Sequence, residues 1–239
     1  VMIDHRGALN TVVDVNERFG VGADDRVLAL SSLSFDLSVY DVFGPLAVGG
    51  AVVIPEAKSQ RDPAAWYDLV TKADVTIWNS VPALMELFVE HLGVREATGS
   101  LRLVLLSGDW IPVTLPDRIR EALDGPAVIS LGGATEASIW SIMYPVGQVP
   151  SSWTSIPYGR PMRNQTFHVL DDALRPRPTG VPGQLYIGGI GVARGYLRDE
   201  ARTAAGFIVH PETGERLYRT GDLGRFLPSG EIEFLGRED

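Results

Sequence analysis

Five polar side chains follow short apolar runs of the sequence, and their types are those that bind ligands. Asp36 lies in the motif FDLSVYD, Asn79 follows the run VTIW, and Ser107 follows LVLL. Thr135 and Glu136 come after the run AVIS and a pair of glycines. In an open parallel sheet the ligand binds beyond the carboxyl ends of the strands, so strands at these runs would bring the five side chains to one crevice.

The two carboxylates of this set predict two separate binding tasks. One would hold a cation such as an α-ammonium group, and the other would hold Mg²⁺ facing phosphates, because hard carboxylate oxygens suit that ion. Gly132 and Gly133 would let backbone N–H groups approach a flat or anionic group closely. A Ser or Asn after a strand is by itself more often a helix cap. It is the joint placement of the five side chains that favours a ligand site.

The elements that must position these side chains are short strands alternating with helices. The β-prone runs lie at 27–30, 51–54, 75–78, 103–106 and 127–130. Helix-like segments between them begin with the capping candidates Asp62, Ser80 and Thr114. This alternation predicts a doubly wound, mostly parallel sheet, and strands that are nearly all apolar are typical of a sheet covered on both faces.

The chain after this region changes character. Residues 144–163 hold several prolines and no helical period, which indicates a connection. Residues 164–239 alternate short β-prone segments with Gly and Pro, which predicts a smaller β-rich subdomain shaped as a distorted barrel. The predicted fold class is therefore α/β, with a flavodoxin-like half over residues 1–143 followed by the connection and the β-rich subdomain.

Composition excludes several kinds of site. The 239 residues contain no Cys, which rules out a disulfide framework, a thiolate metal site and a Cys nucleophile within this chain. The net charge is −9 and there is no basic stripe, so we expect no nucleic-acid partner. No apolar run approaches the ~20 residues of a membrane span, so we expect no membrane partner. The absence of Cys also fits a cytoplasmic location.

Several motifs in a fixed order resemble one known family. They are FDLS (35–38), GGATE (132–136), GQLYIGGIGVARGYL (183–197), YRTGDLG (218–224) and GRED (236–239). In order and spacing the set resembles the adenylation domains of nonribosomal peptide synthetases, within the adenylate-forming superfamily, across essentially the whole chain. YRTGDL is quite specific, whereas the glycines of GIGVARG do not complete a dinucleotide fingerprint.

The resemblance implies a two-step reaction with ATP. An amino acid carboxylate attacks the α-phosphate of ATP to give an aminoacyl-AMP and pyrophosphate. The acyl group then passes to the phosphopantetheine thiol of a peptidyl carrier protein. The resemblance thus implies ATP or AMP, Mg²⁺ and a partner's phosphopantetheine as cofactors, and a condensation or heterocyclisation domain as neighbour. Such a scaffold acts by positioning and by charge around the reacting phosphate.

The resemblance also assigns roles to particular residues. Asp36 resembles the carboxylate that pairs with the substrate α-amino group. The candidate catalytic residues are Thr135, which resembles the hydroxyl near the α-phosphate, and Glu136, which resembles the Mg²⁺ ligand. Asp239 resembles the hinge residue before a small C-terminal subdomain. In the candidate nucleotide site, Asp222 resembles the carboxylate that takes both ribose hydroxyls and Arg237 resembles a ribose contact. The full set for the nucleotide is Gly108, Gly132, Gly133, Asp222 and Arg237.

The family's specificity pocket can be carried onto nine positions, and the resulting set resembles the pattern for cysteine activation and thiazoline formation. The bulky Tyr40, Leu131 and Trp140 would leave room for a small side chain, and Leu105 and Ile139 would suit a thiol, a weak hydrogen bonder. Serine or a small α-substituted relative is the close competitor, because such pockets discriminate poorly between near-isosteres. The nine residues are Asp36, Leu37, Tyr40, Asn79, Leu105, Ser107, Leu131, Ile139 and Trp140.

Two departures from the family pattern bear on function. Many members have an aromatic residue, often Tyr, that stacks on adenine where this chain has Gly132, so another group must grip the base. The Gly/Ser/Thr-rich phosphate loop and the C-terminal subdomain with its catalytic Lys are not in the sequence. We therefore expect a fragment that needs the missing N- and C-terminal parts of the same domain, and we expect the 239 residues alone to be inactive.

Two other functions stay open. The first is an acyl-CoA or aryl-acid ligase of the same superfamily. Asp36 argues against that function, because a carboxylate there suits an α-amino group and would repel an acid that lacks one. The second is a non-catalytic binding module within a larger synthetase, which agrees with the missing phosphate loop and Lys.

Overall fold

The computed structural model describes residues 1–93 and 99–238. The chain forms two compact units. The α/β unit comprises residues 15–130 and 145–156, and the β-rich unit comprises residues 1–14, 131–144 and 157 onward.

The α/β unit is built on a parallel sheet whose strands coincide with the apolar runs of the sequence. Its strands pair in the order β2-β1-β3-β4-β5, so the order reverses between β1 and β3. This is the flavodoxin-like order, in which the reversal marks the ligand crevice. The strands are β1 (Arg26–Leu28), β2 (Ala51–Val53), β3 (Ile77–Ser80), β4 (Leu103–Leu106) and β5 (Ala127–Gly132), the last two residues of which belong to the β-rich unit.

Helices connect these strands, as parallel strands require. Asp62 caps its helix as predicted, since its side chain accepts a hydrogen bond from the backbone N–H of Ala64. The helices are α1 (His5–Phe19), which crosses from the β-rich unit into the α/β unit, α2 (Leu37–Leu46), α3 (Pro63–Lys72), α4 (Pro82–Leu92) and α5 (Leu115–Ala122).

The other two predicted helix caps, Ser80 and Thr114, make no capping bond in the structure. Ser80 is not a cap, because it is the last residue of β3 and α4 begins two residues later. Its hydroxyl accepts from Nε1 of Trp78 at 2.7 Å and donates to the carbonyl of Val81 at 2.8 Å, so the indole uses the group that was expected to cap. Thr114 stands directly before α5 but makes no side-chain capping bond.

The core of the α/β unit explains why its strands are mostly apolar. All four residues of β3 and of β4 are buried, as expected for strands covered on both faces. Trp78 stacks on Phe88 with ring centroids 4.7 Å apart and meets Trp66 edge to face at 5.7 Å. These large rings hold β3 against α3 and α4, and so fix the end of β3 where Asn79 lies.

The β-rich unit is dominated by an antiparallel sheet of order β10-β11-β9-β8, with β12 also paired to β11. Its core includes Phe167, Val169, Leu185 and Ile187 from alternate positions of two strands. The short helix α6 (Glu200–Gly206) precedes β10 and is capped by the side chain of Asp199. The strands of this sheet are β8 (Gln165–Leu170), β9 (Gly183–Gly189), β10 (Phe207–Val209), β11 (Arg216–Phe226) and β12 (Ile232–Arg237). Two other strands, β6 (Ile142–Val146), which runs on into the α/β unit, and β7 (Arg160–Pro161), pair antiparallel with each other and belong to the first sheet.

The predicted fold class is confirmed: the chain is α/β, with a mostly parallel sheet and a curled antiparallel sheet. The long strand β11 shows how the second sheet curls. Its first part pairs with β10 and its second part with β12, and the register on β9 shifts between Arg219 and Leu223. The shift is a bulge, a feature that bends a strand and is frequent beside functional sites.

Candidate functional site

Asp36, the predicted partner of an α-amino group, directly precedes α2 at the strand-order reversal. A helix cap is the ordinary explanation of an Asp at this point. Asp36 does not fit it, because its backbone is helical (φ −68°, ψ −19°) and its side chain makes no capping bond to α2. The carboxylate is half-buried. Its position therefore suits contact with a ligand better than helix capping.

Five further predicted pocket residues lie in the same unit on α2, β3 and the end of β4. Leu37 and Tyr40 share one side of α2, because residues three apart are neighbours on a helix. Asn79 pairs in register with Leu105, and Ser107 follows two residues later, so these three are neighbours on parallel strands. All five are buried, with exposed fractions of 4% or less. The α/β unit thus brings together six of the nine predicted pocket residues with Asp36 included.

Tyr40 is fixed in this unit by contacts on its ring and on its hydroxyl. The hydroxyl donates to Oδ1 of Asn16 at 2.9 Å, and Nδ2 of Asn16 donates to the carbonyl of Gly44. The ring packs so closely on Gly44 that a Cβ there would lie 2.8 Å from ring carbons. Burial raises the pKa of Tyr40, and the nearby Asp25 carboxylate adds to the shift. Tyr40 is therefore a rigid wall with its polar end held by the protein.

Asp41 is a candidate site residue that the sequence interpretation missed. It is fully buried, and its Oδ1 accepts from Nδ2 of Asn79 at 2.7 Å while Oδ2 accepts from the backbone N–H of Ser31 at 3.2 Å. Burial raises the pKa of Asp41 to about 6, and the hydrogen bonds from Asn79 and Ser31 limit the rise. A buried carboxylate that receives neutral donors next to a predicted pocket residue is a candidate for a functional role.

The glycines at the end of β5 lie against an aromatic ring in the β-rich unit. A Cβ built on Gly132 would overlap carbons of the Tyr158 ring, so only glycine fits beside that ring. The backbone of Gly133 hydrogen-bonds the Tyr158 hydroxyl. Burial raises the pKa of Tyr158, and the Asp222 carboxylate is near enough to add to the shift. Tyr158, which the sequence interpretation missed, is half-buried and borders three predicted nucleotide residues.

Two tyrosine hydroxyls hold Glu136, the predicted Mg²⁺ ligand. Tyr196 donates to Oε1 of Glu136 at 2.6 Å, and Tyr218 also hydrogen-bonds this carboxylate. Burial raises the pKa of both tyrosines, and the Glu136 carboxylate contributes to each shift. Glu136 lies in a single 3₁₀ turn, Thr135–Ala137, where Thr135 is exposed and Glu136 is half-buried. The tyrosines fix the direction of a carboxylate that such a short turn would leave adjustable.

The donor set around Glu136 fits Mg²⁺ bound together with substrate phosphates. Mg²⁺ commonly takes only one or two protein carboxylates and completes its shell with phosphate oxygens and water. Among the described residues there is no group of three or more His, Asp or Glu side chains that could hold a metal ion by itself. Glu136 would therefore hold Mg²⁺ only as a partner to a phosphate ligand.

The remaining pocket residues lie in the β-rich unit, two of them on an unusual turn. Ser138 and Ile139 both have positive φ, 64° and 73°. The backbone N–H of Trp140 donates to the carbonyl of Ser138 at 3.0 Å, which makes Ile139 the centre of a strained γ-turn. Positive φ in a β-branched residue is a genuine outlier, and such outliers cluster at functional sites. Leu131, Ile139 and Trp140 are all buried.

Asp222 and Arg237, the predicted ribose contacts, lie together in the β-rich unit. Nη1 of Arg237 is 3.3 Å from Oδ1 of Asp222, and the two residues face each other across the β11–β12 pairing. The Asp222 side chain is 14% exposed, whereas that of Arg237 is 59% exposed. Asp222 lies at the bulge of β11, next to Gly221 at φ 76°. The bulge therefore sets the direction in which this carboxylate points.

Two predicted residues, Gly108 and Asp239, belong to none of the clusters above. Gly108 follows β4 in the α/β unit with φ 82°, a conformation that favours glycine. A Cβ there would meet Val81 and Phe35 at 3.3 and 3.5 Å. The predicted hinge residue, Asp239, lies outside the described residues.

No helix in the described part of the chain is long and apolar enough to span a membrane.

Comparison with known proteins identifies the family. A sequence model described as AMP-binding enzyme matches residues 1–197. Pyochelin synthetase PchF of Pseudomonas aeruginosa is 51% identical over 242 residues, which are 100% of this chain and 13% of that protein. Bacitracin synthase 1 of Bacillus licheniformis is 49% identical over 239 residues, which are 100% of this chain and 4% of that protein.

Solved structures agree with the sequence matches. The nonribosomal peptide synthetase FmoA3 in its alpha-methyl-L-serine-AMP bound form has a TM-score of 0.96 at 51% identity, covering 99% of this chain and 27% of that one. The Vibrio cholerae adenylation domain AlmE, in complex with glycyl-adenosine-5'-phosphate, has a TM-score of 0.88 at 27% identity and covers 99% of this chain and 45% of that one. The chain belongs to the AMP-binding enzyme family, as a part of a nonribosomal peptide synthetase adenylation domain. It spans about an eighth of PchF.

Proposed function

We propose that the full-length protein activates a small amino acid, with L-cysteine as the preferred substrate, and loads it on a carrier protein. A carboxylate oxygen of the amino acid attacks the α-phosphorus of ATP, and the bond to the leaving pyrophosphate breaks. The thiol sulfur of phosphopantetheine then attacks the acyl carbon, AMP leaves, and the thiol proton is released. The observation that carries the proposal is Asp36, a carboxylate placed at the strand-order reversal and not used as a helix cap.

In the proposed amino acid site, Asp36 pairs with the α-ammonium group of the substrate, and the pocket binds the substrate side chain. Leu37 and Leu105 supply apolar walls, and Tyr40 closes the space as a rigid ring. Asn79 and Ser107 supply polar groups. Leu131, Ile139 and Trp140 complete the proposed set, as the family resemblance implies. A small side chain that can hydrogen-bond weakly, such as a thiol, is the type that this composition favours.

In the proposed nucleotide site, Asp222 and Arg237 contact the ribose, and Thr135 lies near the α-phosphate. When bound, Mg²⁺ would neutralise phosphate charge, and Glu136 would hold it. We also propose that the Tyr158 ring provides the aromatic surface for adenine that Gly132 lacks. Support comes from its contact with Gly132, its bond to Gly133 and its closeness to Asp222. Gly108 belongs to the proposed nucleotide set, as the family resemblance implies.

The partners follow from the proposed reaction and from the family. The full-length protein would act on a peptidyl carrier protein and would adjoin a condensation or heterocyclisation domain. A heterocyclisation domain would convert a cysteinyl group to a thiazoline ring. The chain's 4–27% coverage of PchF, bacitracin synthase 1 and FmoA3 leaves room for such domains in proteins of that size.

A serine-like substrate is the second candidate, and one observation favours it. The FmoA3 structure, at 51% identity, holds alpha-methyl-L-serine-AMP. A hydroxyl and a thiol are both small donors, so the two candidates differ in the size and polarity of one atom. An acyl-CoA or aryl-acid ligase is a third candidate, which Asp36 disfavours.

Amino-acid-dependent exchange of pyrophosphate into ATP by the full-length protein tests these candidates. We expect exchange with L-cysteine above that with L-serine, α-methyl-L-serine and benzoate. Asp36→Ala should lower kcat/KM for the amino acid at least a hundredfold, because a charge-assisted bond worth about 3 kcal/mol is lost. Asp68→Ala, on the exposed face of α3 in an ion pair with Lys72, is the matched control.

The outcomes separate the candidates. Higher exchange with either serine compound would assign the serine-like substrate. Exchange with benzoate that Asp36→Ala leaves unchanged would assign the aryl-acid ligase. If no acid supports exchange while AMP still binds in calorimetry, the protein is a binding module and the proposal is wrong.

A further inference from the structure

The Asn79 side chain holds a buried acceptor that the protein leaves unused. Asn79 is fully buried, its Nδ2 donates to Oδ1 of Asp41 at 2.7 Å, and the carbonyl of Leu37 lies 3.4 Å from the same nitrogen. Its Oδ1 is buried and has no hydrogen-bond partner among the described residues. A buried acceptor without a donor destabilises the fold, so an unused acceptor next to a predicted pocket points to a bound donor.

Asp41 determines which way the Asn79 amide faces. Oδ2 of Asp41 is occupied by the backbone N–H of Ser31, which leaves Oδ1 to face Asn79. In the opposite amide orientation, the Asn79 oxygen would face the Asp41 carboxylate and the Leu37 carbonyl, both of which are acceptors. The carboxylate therefore holds the nitrogen toward α2 and turns the oxygen away from it.

The neighbours of Asn79 on the sheet belong to the predicted side-chain pocket. Asn79 is paired in register with Leu105, and Ser107 follows on the same strand. The Leu37 carbonyl lies on the nitrogen side of the amide. The Tyr40 hydroxyl donates to Oδ1 of Asn16, so that donor is engaged elsewhere. A bound ligand with a donor on its side chain is the group that would complete the bonding of Asn79.

We propose that Asp41 is a positioning residue, which fixes Asn79 Oδ1 as an acceptor for the substrate side chain, and that the substrates are small amino acids with an S–H or O–H donor beyond Cβ. The inference rests on the proposed function and narrows its substrate class. An apolar isostere would fill the pocket and leave the acceptor buried without a donor. Sites that hydrogen-bond a substrate group reject analogues lacking it far more strongly than apolar pockets reject a missing methylene.

The test compares L-cysteine with L-2-aminobutyrate, which has a methyl group in place of the thiol, in pyrophosphate exchange by the full-length protein. We expect wild type to prefer L-cysteine at least tenfold in kcat/KM, and L-serine to be preferred over L-2-aminobutyrate as well. Asn79→Leu should bring the first ratio close to one. Asp41→Asn, which supplies an amide that can also donate to Asn79 Oδ1, should lower the ratio roughly tenfold by freeing the Asn79 amide to turn.

The ratio distinguishes positioning from a merely structural role. If Asp41→Asn lowers kcat/KM equally for both amino acids and leaves the ratio unchanged, the inference is wrong. Asp68→Asn on the surface of α3 should change neither value. A wild-type ratio near one overturns the inference even if Asp41→Asn does not fold. Wild type without any amino-acid-dependent exchange would instead contradict the proposed function.

Discussion

The hydroxyl of Tyr196 offers the sharpest test of how the chain prepares its candidate metal ligand. Tyr196→Phe removes the 2.6 Å bond to Oε1 of Glu136 and keeps the aromatic ring. The ring contacts with Phe207, at 5.8 Å edge to face, and with the Arg202 guanidinium, at 4.0 Å, should persist. The change removes this charge-assisted hydrogen bond together with the bond between the Tyr196 and Tyr218 hydroxyls.

The size of the effect can be worked from that bond. A hydrogen bond to a charged group contributes about 1.5–3 kcal/mol. Glu136 keeps its bond from Tyr218, so the lower end of this range applies. A loss of that size corresponds to roughly tenfold weaker Mg²⁺ binding. Losses of about 10–100-fold are usual when a residue that orients a metal ligand is removed.

The assay is pyrophosphate exchange by the full-length protein over a series of Mg²⁺ concentrations at saturating ATP. We expect the Mg²⁺ concentration for half-maximal rate to rise roughly tenfold in Tyr196→Phe, with a smaller change in kcat. Tyr186→Phe, at a buried tyrosine of β9, is the control and should leave the Mg²⁺ dependence unchanged. An unchanged Mg²⁺ dependence in Tyr196→Phe, with the protein folded, would refute the reasoning that this hydroxyl orients Glu136.

Three further predictions concern stability and its dependence on buried groups. Arg102→Ala should destabilise the protein by about 3 kcal/mol in urea unfolding, because it leaves the buried Asp25 carboxylate without its two bonds of 2.6 and 2.8 Å. The folded pKa of Asp41, about 6, is raised above the ordinary 3.8. Its contribution is therefore full below pH 3.8 and should fall by about 3 kcal/mol as the pH rises to about 6, a fall that Asp41→Asn should lack. Gly132→Ala should cost about 1–3 kcal/mol by overlap with the Tyr158 ring, and adding Tyr158→Val should restore stability while weakening AMP binding roughly tenfold.

Each of these has a clear contrary result. Asp25→Asn combined with Arg102→Ala should recover part of the lost stability, and no recovery would mean that the lost energy lies in the Arg102 bonds to the carbonyls of Phe19 and Gly20. Parallel pH profiles for wild type and Asp41→Asn would show that Asp41 ionises normally. Wild-type stability in Gly132→Ala would show that the Tyr158 ring can move aside, and AMP affinity unchanged by Tyr158→Val would remove the ring from the nucleotide site.

The repeating elements of the α/β unit could be predicted from the sequence, because period and composition encode them. The run LVLL is β4 to the residue, three of the other apolar runs each contain most of a strand, and VTIW contains half of β3. The strand-order reversal, which the sequence rule for parallel sheets also uses, places Asp36 before α2 and Asn79 on β3. The Ser80 cap failed for a local reason: the strand runs on to Ser80, and the indole of Trp78, two residues earlier, donates to its hydroxyl.

The groups that support the candidate site could not be predicted, because their partners are distant in sequence. Asp41 meets Asn79 across 38 residues, and Tyr196 meets Glu136 across 60. Gly132 was recognised as a departure from the family pattern, yet the ring of Tyr158 that fills its space comes from a segment interpreted as a connection. A single sequence lists these side chains but carries no signal of which pairs meet.

The γ-turn at Ile139 has a consequence for how such a pocket can change. Its backbone is held by the Ser138 hydroxyl, which donates to the carbonyl of Gly191 at 2.7 Å, and by Thr11, whose hydroxyl donates to the carbonyl of Ser138 at 2.8 Å. None of these bonds uses the side chains of Ile139 or Trp140. The strain of about 1–3 kcal/mol is carried by the main chain, and the two hydrogen bonds that hold the turn come from Ser138 and Thr11. A substitution at Ile139 would therefore change a side chain of the predicted pocket while the bonds that hold the backbone of the turn stay in place.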